Sequence, residues 1–382
     1  MNALRVLVDA TAVPADRGGV GRYVDALLPA LVRAGTDLVV VCQPRDVALV
    51  RALVPDADVV AVPTRLAGRA TRLAWEQTGL PATMHRTGAD VLHSPHYTTP
   101  VVGSFARVVT LHDATFFSHP ELHSIVKVRF FRAATRAAVR SGAPLVVPSR
   151  ATADEVARYT GAAPERFHVA HHGVDSALFH RVDEAERVRV RRGLGLAGDE
   201  PYVAFLGTLE PRKNVPALIR GWVAACAHRA NPPALVLAGG PGWDPLVERA
   251  IRAVPDRLHL LRAGYLPLGD LAGFLSGAQV LAYPSLGEGF GLPVLEAMAC
   301  GAAVLTTREL ALPEVGGDAV EYTTTDEQAI GESLARMMDD DVLRHRLADA
   351  GAARAAGFTW DEAARVHVEA YRAAASGGHG PR

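Results

Sequence analysis

The feature that most constrains this chain is an alternation, run through twice, of short apolar segments with stretches of helical periodicity. Segments 4–8, 38–41, 59–62, 91–93, 108–111, 145–148 and 167–170 read as strands. Between the first two, Val20, Val24, Leu27, Leu28, Leu31 and Val32 recur at helical spacing. Short strands separated by helices make βαβ units and a parallel sheet. A charged stretch from Arg181 to Arg192, followed by Gly193, Gly195 and Gly198, reads as a linker. The pattern then restarts, with strands expected at 202–206, 234–238, 258–261, 280–283 and 303–306. A helix after Asn214 fits an Asn N-cap with Pro216 in the first turn, and another begins near Leu292 and Pro293. The 382 residues are comfortable for two domains. The expected division is an N-terminal domain over 1–180, a linker over 181–200 and a C-terminal domain over 201–360, with a last helix over 361–376. In open parallel sheets ligands bind at the carboxyl ends of the strands. Two such sheets facing each other would enclose one cleft.

Composition narrows the function classes. Hydrophobic residues are 49% and charged residues 21%, a balance that supports a buried core. The net charge of -1 gives no global field toward nucleic acid. Cys42, Cys226 and Cys300 lie too far apart to suggest a disulfide framework or a zinc site, and they suit a reducing cytoplasm. The chain enters an apolar strand at once, so no signal peptide is expected, and no run approaches the ~18 apolar residues of a membrane span.

Four segments carry chemistry. The glycines of Arg17-Gly18-Gly19-Val20-Gly21-Arg22-Tyr23, read as a loop before a helix, allow backbone amides to approach an anion. A tight strand-to-helix turn accounts for them equally well. His112-Asp113 follows a strand end, where His112 can bond a sugar hydroxyl or exchange a proton; a structural histidine is the alternative. In Gly207-Thr208-Leu209-Glu210-Pro211-Arg212-Lys213-Asn214, the paired cations suit a diphosphate leaving group that gains charge as its bond breaks. In the segment from Glu288 to Glu296, a helix start offers the amides of Phe290, Gly291 and Leu292 to an anion or to sugar hydroxyls. Its two carboxylates can accept hydrogen bonds from two polyols, a sugar ring and a ribose.

At this point the chain resembles glycosyltransferase family 4, retaining enzymes of GT-B fold with two Rossmann-like domains facing a central cleft. The resemblance rests on the E-x7-E pattern of Glu288 and Glu296. It also rests, in order, on Gly18–Tyr23, His112-Asp113, Val147–Val156, His172–Asp175, Gly207–Asn214, Pro284-Ser285 and Phe358-Thr359-Trp360. One departure is His172, where the family often has Asn. The resemblance implies that Arg212 and Lys213 bind the donor diphosphate and that Glu296 binds the ribose. Glu288 with the amides of Phe290, Gly291 and Leu292 would hold the donor sugar and distal phosphate. Thr208, with the backbone at Tyr265 and Leu266, would complete the nucleotide site. Gly19 and Val20 would approach the diphosphate, and His112 the transferred sugar. No metal or cofactor is required, because Arg and Lys meet the leaving-group charge. The first domain would bind the acceptor, a glycan, a glycolipid or a small molecule, and the last helix would pack back on it. Trp75-Glu76-Gln77 is similar to bacterial mannosyl- and rhamnosyltransferases of polysaccharide assembly, making GDP-mannose the first donor to test.

Competing readings remain open at this stage. Asp56-Ala57-Asp58 matches a metal-diphosphate motif but sits at a strand start. His93 with His96, and His119 with His123, lack a third ligand. Arg132, Arg136 and Arg140 share a helix face with Lys127, Arg129, Phe130 and Phe131 nearby. That face is either solvated or docks peripherally on the inner face of the plasma membrane. A nucleotide-sugar 2-epimerase and a non-catalytic nucleotide-sugar-binding protein are the alternatives to a hexosyltransferase.

Overall fold

In a computed structural model, which describes residues 4–197 and 200–377, the chain divides into two compact units. One is Met1–Gly173 with Thr359–Arg382, the other Val174–Phe358. The first holds strands β1 (Arg5–Asp9), β2 (Asp37–Cys42), β3 (Asp58–Ala61), β4 (Val91–Ser94), β5 (Ala106–Thr110), β6 (Leu145–Val147) and β7 (Phe167–Val169). They form a parallel sheet in the order β3-β2-β1-β4-β5-β6-β7. The second unit holds β8 (Tyr202–Leu206), β9 (Ala234–Ala238), β10 (Leu260–Gly264), β11 (Val280–Tyr283), β12 (Val304–Thr307) and β13 (Glu321–Thr323). Their order is β10-β9-β8-β11-β12-β13, again all parallel. Both are Rossmann-like sheets. The strand order reverses between β1 and β4 in the first and between β8 and β11 in the second.

The near-continuous apolar strands follow from burial on both sheet faces. Along β1, Val6 and Val8 pack with Leu27 and Leu31 of helix Gly18–Arg33 and Tyr371 of helix Trp360–Gly377. Leu7 turns to the opposite face, against Val39, Leu92, and Leu80 and Met84 of helix Arg69–Thr87. In the second unit every residue of β8, β9 and β11 is buried.

Several local expectations change. Gly18–Tyr23 is the opening of helix Gly18–Arg33, not a loop. Asn214 is not a side-chain cap. Its backbone is left-handed (φ 56°), and its side chain instead donates to the Thr325 carbonyl at 2.7 Å. The strand expected at 258–261 lies two residues later, because Leu258 closes a turn on Pro255 and Leu260 takes the register opposite Leu235. Strand β13 has only three residues, Glu-Tyr-Thr, and no apolar run to announce it. Within 181–200, residues Glu184–Gly193 form a helix started by the Asp183 side chain, which accepts from the Glu186 amide. Gly198 lies outside the described residues.

Candidate active site

The loops after β8 and β11 flank the point where the second sheet reverses its strand order, the crevice where open α/β sheets take ligands. Four charged side chains meet there. Arg212 and Lys213 come from the β8 loop and are brought against Glu288 from the β11 loop. Arg212 donates through Nη1 to Glu288 Oε2 and to the Gly287 carbonyl (2.8 Å), and through Nη2 to Glu210 Oε1 (2.7 Å). Lys213 Nζ donates to the Tyr283 hydroxyl and to Glu288 Oε1, the latter at 2.6 Å. Glu288 Oε1 also accepts from Ser285 Oγ at 2.6 Å and from the Tyr283 hydroxyl at 3.0 Å. The Leu286 amide donates to the Arg212 carbonyl at 2.8 Å and stitches the two loops together.

Two cations and two carboxylates thus balance in a largely buried cluster. Burial alone would push the Glu288 carboxyl up, but the Arg212 and Lys213 charges outweigh it and hold it at about 2. Burial and neighbouring Arg212 push the Lys213 ammonium down, and Glu288 works against them. Burial and the Glu288 carboxylate drive the Tyr283 phenol well up. Sequence reasoning missed Tyr283 and Glu210 as members of this site. Tyr283 reads as one more strand residue in Val280–Tyr283, and Glu210 carried no role within its motif.

Backbone conformation keeps the surrounding loops close. A Cβ on Gly239 (φ 127°) would meet the Gly207 carbonyl oxygen at 2.2 Å, so the β8 and β9 loops can touch only through glycine. Gly291 (φ 106°) is the N-cap of helix Leu292–Ala299, and its carbonyl accepts from the Val294 amide at 3.0 Å and the Leu295 amide at 3.3 Å. Glu296 lies one turn into that helix and is buried. Thr208 and Leu266 are partly exposed, and Tyr265 is 63% exposed, its hydroxyl beside Gly240.

The first unit presents His112 two residues beyond β5. Its Nε2 lies 2.7 Å from the Pro95 carbonyl, so Nε2 carries the proton and Nδ1 keeps a lone pair. Burial lowers its pKa, keeping the ring a neutral acceptor. The Tyr23 ring packs edge-on against it at 4.9 Å. Gly19 and Val20 sit in the first turn of helix Gly18–Arg33, with amides free of intrahelical acceptors. All four described non-glycine residues with positive φ, namely Arg17, Tyr97, Asn214 and Leu310, follow carboxyl ends of strands beside these candidates. Backbone strain of this kind clusters at functional sites.

Behind His112 runs a buried hydrogen-bond chain with one consistent direction. His367 Nδ1 is 2.7 Å from the Ala363 carbonyl and must donate, so Nε2 accepts from the Tyr23 hydroxyl at 2.6 Å. Thr110 then donates to Tyr23 (3.0 Å), His93 Nε2 donates to Thr110 (2.8 Å), and Tyr371 donates to His93 Nδ1 (2.9 Å). The chain ties helix Trp360–Gly377 to β4, β5 and helix Gly18–Arg33. It absorbs His93, one half of the suspected His93–His96 metal pair.

Other candidates resolve structurally. Asp58 of the Asp-x-Asp motif pairs with Arg5 across the strand starts. His119 bonds Ser118 and His123 bonds Thr115. On helix Ile125–Arg140, Arg132 donates to the Phe116 carbonyl at 2.8 Å, and both Arg132 and Arg136 lie over the Phe117 ring. Arg132 is thereby committed to the unit's own packing, whereas Arg136 and Arg140 of the expected basic face stay exposed.

Comparison with known proteins agrees with this layout. Residues 17–178 match the model of Glycosyltransferase Family 4 and residues 186–354 that of Glycosyl transferases group 1. The chain is 31% identical over 288 residues to the O-antigen chain mannosyltransferase B of Escherichia coli, covering 74% of each protein. It is 28% identical over 395 residues to the alpha-maltose-1-phosphate synthase of Mycolicibacterium smegmatis, covering 93% of this chain and 95% of that one. Among solved structures, Anabaena HepE in complex with UDP and glucose superposes with a TM-score of 0.74 at 18% identity. That match covers 97% of this chain and 100% of the other, a likeness of fold. With the family matched on both units and a mannosyltransferase relative spanning most of its length, the chain belongs to glycosyltransferase family 4 and is a glycosyltransferase of GT-B fold.

Proposed function

We propose that the chain transfers a hexose from a nucleotide-diphosphate sugar to a hydroxyl of a glycan or glycolipid, with retention at the anomeric carbon. The observation that carries this is the Arg212–Lys213–Glu288 cluster at the switch point of the second sheet. The donor diphosphate takes the two cations as partners. Glu288, tied by Tyr283 and Ser285, keeps both pointed at one place before the donor arrives. Such preorganised charge acts where negative charge develops. The bond from the anomeric carbon to the diphosphate oxygen breaks, and the acceptor oxygen bonds that carbon on the same face. The acceptor's proton passes to a departing phosphate oxygen. The helix start at Gly291 and Leu292, with Phe290, holds the sugar and distal phosphate. Glu296 takes the ribose, and Thr208, Tyr265 and Leu266 take the rest of the nucleotide. On the first unit, the His112 Nδ1 lone pair accepts from a sugar hydroxyl, and the Gly19 and Val20 amides donate to an anionic oxygen.

GDP-mannose is the first donor, supported by the mannosyltransferase relative. A thermal-shift and slow-hydrolysis panel of GDP-mannose, UDP-glucose and UDP-N-acetylglucosamine tests this. GDP-mannose should stabilise the chain, and silence with every donor refutes the reading. The anomeric configuration of the product, read by proton NMR, tests retention.

No described helix is long and apolar enough to cross a membrane. The buried free cysteines suit a reducing cytoplasm. Helix Ile125–Arg140 opens with Ile125 and Val126, 63% and 73% exposed, beside Arg129. That end supports peripheral contact with an anionic bilayer delivering a lipid-linked acceptor. Sedimentation with phosphatidylglycerol vesicles tests it, and equal recovery of Val126→Asp with the vesicles refutes it.

A further inference from the structure

The donor chemistry leaves Trp75-Glu76-Gln77 without a task. The three residues lie in the middle of helix Arg69–Thr87. Trp75 packs with the apolar cluster around Leu7 and Leu92 and seats the helix on that sheet face. Glu76 and Gln77 bond instead to the segment that leaves β4. Glu76 is buried, and its Oε2 accepts from Thr98 Oγ1 at 2.7 Å and from Arg72 Nη1 at 2.9 Å. Gln77 Oε1 accepts from the Val101 amide at 2.8 Å, and its Nε2 donates to Glu76 Oε1 at 3.1 Å. Two adjacent side chains of one helix thereby fasten the segment at Thr98 and at Val101.

That segment in turn grips His112-Asp113 at two points. The Pro95 carbonyl accepts the His112 Nε2 proton at 2.7 Å. The Tyr97 hydroxyl accepts from the Asp113 amide at 2.9 Å and donates to the Asp113 carbonyl at 3.3 Å. The Tyr97 amide donates to the Thr110 carbonyl at 3.0 Å, which ties the turn to the end of β5. Tyr97 makes these contacts from a left-handed backbone (φ 57°), a conformation that a residue with a Cβ rarely adopts. Such a turn persists only while its surroundings hold it. Its ring is buried edge-on against Phe131 and Phe116, at 4.8 and 5.6 Å, and Glu76 and Gln77 supply ties from outside the β4–β5 connection. The Pro95 carbonyl matters because it decides which ring nitrogen of His112 carries the proton, and hence which one can accept.

We propose that Tyr97 is a positioning residue for sugar transfer, and that Glu76 and Gln77 act through the same turn to keep His112 protonated at Nε2 with Nδ1 available as an acceptor. The inference rests on the reading of His112 as a contact of the transferred sugar. The Arg212–Lys213–Glu288 cluster meets the diphosphate in the second unit, so loosening this turn acts on turnover and leaves donor affinity unchanged.

The test compares Tyr97→Phe and Gln77→Leu with wild type, on the full chain, by GDP-mannose hydrolysis, GDP-mannose thermal shift and ring 15N NMR. The His112 signals are identified by their loss in His112→Ala. Tyr97→Phe keeps the packed ring and deletes only the hydroxyl. Its kcat should fall about tenfold or more at unchanged KM and thermal shift, because small misplacements of a positioned group cost on the order of tenfold to a hundredfold. Gln77→Leu should lower kcat by a smaller factor in the same way. In both variants the His112 Nε2 signal should move from the protonated toward the averaged position as the second tautomer becomes populated. In a His112→Ala background, Tyr97→Phe should slow hydrolysis no further, since a residue that acts through another is silent once that other is gone. Unchanged kcat in Tyr97→Phe, an unmoved His112 spectrum, or equal slowing in the His112→Ala background overturns the proposal. A wild-type chain that hydrolyses no GDP-mannose defeats the donor reading instead, and the His112 spectra still decide whether Tyr97 sets the ring.

Discussion

Acidification should destabilise the first unit through His367, and the size of the effect follows from the hydrogen-bond chain. The ring is fully buried, with Nδ1 committed as donor to Ala363 and Nε2 as acceptor from Tyr23. A second proton on Nε2 would face the Tyr23 O–H. Tyr23 would have to turn its proton toward Thr110, which already accepts from His93, and the Thr110 proton would then lose its acceptor. Burial, the largest cause, lowers the His367 pKa to about 4 from the ordinary 6.5. The folded pKa lies below the unfolded one, so the unfolded chain takes the proton first as pH falls. Stability from this group is therefore complete above about pH 6.5 and declines below it. The slope is about 1.4 kcal/mol per pH unit, giving a loss of about 2 kcal/mol at pH 5 and about 3 kcal/mol by pH 4.

The assay is urea denaturation at pH 7.5 and pH 5.0 for wild type and for His367→Gln. The variant weakens the chain at both pH values but removes this titration. Wild type should lose about 2 kcal/mol more than the variant between the two conditions. The same loss in both proteins would refute the argument, because the acid sensitivity would then come from other groups. His93 and His172, whose pKa values burial also lowers, contribute in the same direction to both proteins; because His367 is a lesser cause of each shift, they contribute somewhat less in the variant.

The remaining predictions concern the second unit. Arg212→Ala or Lys213→Ala should lower turnover by on the order of 100-fold, measured as nucleotide release; near-wild-type rates in both would remove the diphosphate assignment. Glu288→Ala strands a buried ammonium and should cost roughly 3–5 kcal/mol in urea denaturation; a cost under about 1 kcal/mol would show that Lys213 finds another partner. Lys213→Met should instead raise the Glu288 pKa, since it removes one of the two charges that hold it at about 2; an unchanged carboxyl titration by NMR would contradict this. Gly239→Ala should abolish the donor thermal shift by driving the β8 and β9 loops apart, given a 2.2 Å approach to the Gly207 carbonyl; an intact shift would mean that the loops relax without harm.

Much of this was legible before the structure because it is local. The apolar runs at β1, β2, β8 and β9 announce strands buried on both faces, and Pro293 after Gly291 announces a helix start. The Arg212-Lys213 pair and the Glu288–Glu296 segment each pointed to an anion or polyol site. Their pairing was not legible, since Arg212 and Glu288 are separated by 76 positions and nothing local joins them. Tyr283 looks like any strand residue, and only the fold shows its hydroxyl between Lys213 and Glu288. Tyr23 and His367 lie 344 positions apart, so the chain they belong to has no local signature at all. The Asn214 cap failed for a related reason. Its side chain met a distant carbonyl at Thr325, a tertiary contact stronger than the local preference.

The two sheets share a topology and differ in the chemistry set at the same place. At the switch point of the second, Arg212 and Lys213 stand with Glu210 and Glu288, and the cations come from successive residues of one strand-end loop. At the switch point of the first, Asp9 and Glu76 stand with Arg72, and burial raises the pKa of both carboxyls. Equal folds therefore present unequal partners, and the paired cations suited to a diphosphate belong to the second sheet. The same reasoning orders the variants. Exchanging Arg212 should weaken the GDP-mannose thermal shift, whereas exchanging Arg72 should leave it intact. Equal losses in both variants would refute the assignment of the diphosphate to the second sheet.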